Sequence, residues 1–66
     1  MTRELLNRLP VNVLDALKMW KCRYNDERFD TDIARAEIRG YLKGLRDSEI
    51  IKTDMEYRVL FSYCTV

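Results

Sequence analysis

A chain of 66 residues holds one domain, and at this size folding buries only about 60% of the surface that the unfolded chain exposes. A formal net charge of +1 supplies no overall field for nucleic acid or an anionic membrane. Without a histidine, and with Cys22 and Cys64 far apart in the sequence, the chain lacks any metal-ligand spacing, and two reduced, buried thiols in a cytoplasmic protein are expected.

Residues 1 to 20 alternate charged and apolar residues without the continuous apolar run of a signal peptide, and no segment is long enough to cross a bilayer. Thr2 to Leu9 carries Leu5, Leu6 and Leu9 at helical spacing behind a cap at Thr2. Pro10 has no backbone donor and disfavours helix for Leu9, so a short first turn ending near Arg8 is expected.

From Val11 to Tyr24 one stripe holds Val13, Ala16, Leu17, Trp20 and Tyr24, with Leu14 on its shoulder, while Asn12, Asp15, Lys18 and Arg23 lie opposite. The spacing predicts an amphipathic helix. Asn25 to Phe29 has no period and reads as a turn, with Phe29 placed to staple against Ile33 or Ala34.

Asp30 to Asp47 reads as the central helix. Asp30 or Thr31 can cap it, and Asp32 adds negative charge at the positive end of its dipole. Ala34, Ile38, Tyr41, Leu42 and Leu45 form an apolar stripe that the rest of the chain has to cover. Ala36, Gly40 and Gly44 follow one another at steps of four, and Arg35, Arg39, Lys43 and Arg46 fill the remaining arc. Glycine inside a helix costs roughly 1 kcal/mol relative to alanine, so Gly40 and Gly44 are candidates for close approach of another helix or a partner. The four cations are candidates for phosphate contacts, against which stand the bordering Asp32 and Asp47 and the scarcity of Asn, Gln and Ser to read base edges.

After Asp47, Ile50 and Ile51 are expected to close the core from a loop. Thr53-Asp54-Met55-Glu56 matches a capping box and predicts a last helix from Asp54 to about Tyr63. The same residues alternate as a strand does, so an α+β alternative makes 55–65 an edge strand. A lone strand leaves its backbone groups unpaired, which favours helix. On that helix Tyr57 and Phe61 fall on the outer side as exposed anchors for a partner, while most other aromatics belong to the core.

The expected fold is therefore all-α: a compact three-helix bundle, with a short extra N-terminal helix as a variant. Absent a histidine base, a Gly-rich phosphate loop, a Ser-centred elbow or a calcium loop at Asp26 to Asp32, catalysis and cofactor binding are not expected. The segment Arg39-Gly40-Tyr41-Leu42-Lys43-Gly44-Leu45-Arg46-Asp47, with Ile50-Ile51 and Thr53-Asp54-Met55-Glu56-Tyr57-Arg58, is similar to small uncharacterised proteins of bacterial phages, plasmids and integrated elements. Glu49 stands where such segments often turn with glycine. The resemblance implies a host- or self-directed binding protein and no activity, cofactor or catalytic residue. The functional expectation is a non-enzymatic module that binds another protein or itself as a homodimer, through Gly40, Gly44, Tyr57 and Phe61. A DNA-binding regulator using Arg35, Arg39, Lys43 and Arg46, and a proteinaceous inhibitor of a host or phage enzyme, are the alternatives.

Overall fold

A computed structural model describes residues 2–66, in which four helices follow one another: α1 (Thr2–Arg8), α2 (Val11–Tyr24), α3 (Thr31–Asp47) and α4 (Asp54–Cys64). The chain is all-helical over these residues, and the segment that alternates like a strand is α4. Helices α2, α3 and α4 pack pairwise against one another, and α1 lies on α4. No helix among the described residues is long and apolar enough to cross a membrane.

Each start has a local cause. Pro10 caps α2 without a side chain, its carbonyl accepting from the amides of Val13 and Leu14 at 3.0 Å each, a position where its own missing donor costs nothing. Asp30, rather than Thr31, caps α3, its carboxylate accepting from the amides of Asp32 at 2.8 Å and Ile33 at 3.2 Å. Thr53 caps α4 by accepting from the amide of Glu56 at 3.1 Å. Glu56 departs from the capping box by reaching one residue further back, to the amide of Lys52 at 2.8 Å.

The core is aliphatic. Leu5, Leu9, Val13, Leu17, Ala34, Ile38, Leu42, Leu45, Ile51 and Leu60 are buried with Cys64, so the stripes of all four helices meet at one centre. Only one of the two adjacent isoleucines closes it, because Ile50 remains 39% exposed. The aromatics do not lie inside. Trp20, Tyr24, Tyr41, Tyr57, Phe61 and Tyr63 pack against the core half-buried, and Phe29 is exposed. Four cations cover that rim: Lys21 lies over Tyr63, Arg23 over both Trp20 and Phe29, Arg35 over Tyr24 and Arg39 over Phe61, at 4.9 to 5.6 Å from the ring centres. About one such pair is usual in a chain of this length. A core too narrow for large rings leaves them at its edge, where an aliphatic stem and a charge shield what solvent would otherwise meet.

Candidate functional site

The groove between α3 and α4 collects residues from both functional expectations. It is lined by Arg39, Gly40, Lys43, Arg46, Asp47, Asp54 and Tyr57 and has a volume of about 510 Å³. The cause is helical period: Arg39, Lys43 and Asp47 form one row at steps of four along α3, next to Gly40, while the core stripe faces the other way. The capped first turn of α4 supplies Asp54 and Tyr57 as the opposite wall.

The basic arc does not present four free charges. Arg35 pairs with Asp32 at 3.4 Å and donates to the Tyr24 hydroxyl at 3.0 Å, which removes it from the groove. Arg46 is hydrogen-bonded to Asp54 across the end of the groove. Arg39 and Lys43 are exposed and take part in no ion pair among the described residues. Arg39 is nevertheless held, its guanidinium 5.3 Å from the centre of the Phe61 ring.

Gly40 and Gly44 lie on the solvent side of α3, and a Cβ built at either would meet nothing within 4 Å. No helix among the described residues uses the space they leave, and neither has a positive φ that would call for glycine. Exposed Ala36 and Ile33, the latter 61% exposed, extend this smooth strip toward the start of α3. Tyr57 and Phe61 are half-buried against the core rather than exposed. Tyr57 walls the groove, and Phe61 lies beneath Arg39.

A second groove, of about 460 Å³, runs along the far side of α4 between Met55, Val59, Tyr63 and Val66, with Thr2 and Lys21 across from it. The Lys21 ammonium is committed there to the carbonyls of Tyr63 at 3.0 Å and Val66 at 3.2 Å. Exposed Met55 follows from its place on α4, whereas Val59 and Tyr63 were legible only once α1 and α2 fixed which side of α4 is covered.

The thiols differ from each other. Cys64 is buried, its Sγ donating to the Leu17 carbonyl at 3.8 Å, and burial pushes its pKa up to about 11. Cys22 is exposed, contrary to the expectation of a buried thiol, because it falls on the polar side of α2. No group of three His, Cys, Asp or Glu side chains among the described residues is arranged to hold a metal ion. Against family models, curated proteins and solved structures the chain finds no match, so its chemistry has to be read from these residues.

Proposed function

We propose that the chain is a small non-enzymatic protein-binding module whose contact surface is the outer face of α3 with the adjoining α3/α4 groove. On this reading α2, α3 and α4 form a three-helix bundle braced by α1, acting in the cytoplasm in a mobile-element setting, and Gly40, Gly44, Tyr57 and the edge of Phe61 meet the partner.

One observation carries the reading. Two glycines stand inside the longest helix, in open space, at a cost of roughly 1 kcal/mol each. A domain this small has little stability to spare, so retaining both is explained by a surface that a side chain would obstruct. Close approach of a second backbone uses such a strip.

Self-association is the form that needs no knowledge of a partner, and solution mass measured from micromolar to millimolar protein tests it. A dimer that Gly40→Arg and Gly44→Arg dissolve supports the strip as the interface. A strict monomer directs the surface to another protein. The reading is lost if the doubly substituted, folded protein keeps both the solution mass and every binding partner of the original chain.

A further inference from the structure

We infer that the α3/α4 groove takes an acidic segment of another protein, its carboxylates one helical turn apart and paired with Arg39 and Lys43; the inference rests on the protein-binding reading above. The row along α3 reads cation, cation, anion at Arg39, Lys43 and Asp47. Residues spaced four apart on a helix stand about 6 Å from each other. The complementary helix therefore presents two carboxylates and then a cation at the same spacing, and the order of its charges sets which way it lies.

Three features favour that occupant. The other two arginines of α3 already have carboxylates, Arg35 from Asp32 and Arg46 from Asp54, so the unpaired charge of this face is concentrated at Arg39 and Lys43. The Arg39 guanidinium already lies over the Phe61 ring, 5.3 Å from its centre, a contact that favours one side-chain position and so reduces the ordering a new ion pair costs. Gly40, next to both, lets the incoming backbone lie close. Asp47 lines the same groove without an ion-pair partner among the described residues and repels a run of phosphates, which disfavours nucleic acid. A second copy of this chain does not fit either: none of its four helices carries two carboxylates three or four residues apart.

The test uses the full chain, labelled with ¹⁵N, and a synthetic alanine-based helical peptide carrying a Glu, Glu, Lys row at steps of four. Saturable shifts at the amides of residues 39–47 and 54–57 are expected, with at least tenfold weaker binding for Arg39→Glu and for Lys43→Glu. A peptide with a Lys, Lys, Lys row is expected to bind the protein carrying both Arg39→Glu and Lys43→Glu, whose Asp47 is unchanged, and restore affinity; Lys43→Gln serves where charge reversal disturbs folding. Equal binding of a peptide with a Gln, Gln, Gln row overturns the acidic class while leaving the groove as a protein site. Failure of every peptide to shift these amides at millimolar concentration overturns both. Random duplex DNA shifting the same amides at lower concentration than the peptide assigns the groove to phosphates and overturns the proposal.

Discussion

The amide of Ile50 donates to the carbonyl of Leu45 at 2.9 Å, closing the end of α3. The amide of Glu49 between them donates to Arg46 at 3.0 Å, so the pair is a Schellman ending with Glu49 at the left-handed position, φ 64°. Here a side chain bears the strain of a conformation that glycine adopts freely. Among the described residues no other non-glycine residue has a positive φ. Glu49→Gly is therefore expected to stabilise the fold by about 1 kcal/mol, read as a rise of roughly 4–8 °C in Tm. An unchanged or lower Tm would show that Glu49 makes a compensating contact.

Gly40→Ala and Gly44→Ala act on the same helix for a different reason. Each Cβ enters open space, and alanine gains roughly 1 kcal/mol over glycine inside a helix. Both substitutions should raise the denaturant midpoint with an unchanged slope. If the strip is a contact surface, the same substitutions weaken binding while the fold gains stability. A mutation that raises stability and lowers binding separates surface from scaffold, because a merely structural role moves both together.

The burial stripes of α2 and α3 were readable because Val13 and Leu17, and Ile38 and Leu42, recur at steps that only a helix puts on one side, and Asp30 and Thr53 advertise the starts of α3 and α4, whereas Leu60, which buries α4, stood in a segment that alternates like a strand. The aromatic rim was not. Period alone places Tyr41, Tyr57 and Phe61 within reach of the core, but how deep a ring sits depends on the width left between three helices, which is a tertiary quantity. Likewise spacing put Arg35, Arg39, Lys43 and Arg46 on one arc. The pairing of Arg46 with Asp54, and of Arg35 with Tyr24, comes from segments that the fold brings alongside. The convergence of Gly40, Lys43 and Tyr57 on one groove could not be seen without knowing which side of α3 meets α4.

Acid should loosen the junction of α1 with α4. Glu56 accepts from the Lys52 amide and from Arg8 Nη2 at 2.5 Å, and these bonds hold its carboxyl below its ordinary value of 4.5, the Lys52 amide contributing most. Because the folded pKa is lowered, the stabilisation is present above the unfolded value and is lost as pH falls through the folded one. Stability should therefore decline below about pH 4.5. Asp26, lowered to about 2 chiefly by its hydrogen bond from the Arg28 side chain, adds a loss at still lower pH. Glu56→Gln is expected to flatten the upper part of this acid limb in melts taken from pH 6 to pH 3, leaving the Asp26 part in place. An acid limb identical to that of the unsubstituted chain would remove Glu56 as its source.

Alkali should act through the buried thiol. Burial raises the Cys64 pKa from 9.0 to about 11, so the unfolded chain releases its proton first. A raised folded pKa gives stability that is complete below the unfolded value and falls as pH rises from about 9 toward 11. Tyr41, also raised by burial, adds to the same limb from pH 10 upward. Reactivity gives the sharper measurement, since the thiolate is the nucleophile and must be reached. Exposed Cys22 should consume one equivalent of a disulfide reagent promptly at pH 8, and Cys64 should react only through opening of the core. Leu17→Ala, which opens a cavity in the core that buries Cys64 at a cost of about 2–5 kcal/mol, should accelerate the second equivalent without altering the first. Prompt reaction of both thiols in the unsubstituted chain at pH 8 would mean that α4 is not docked in solution as it is here.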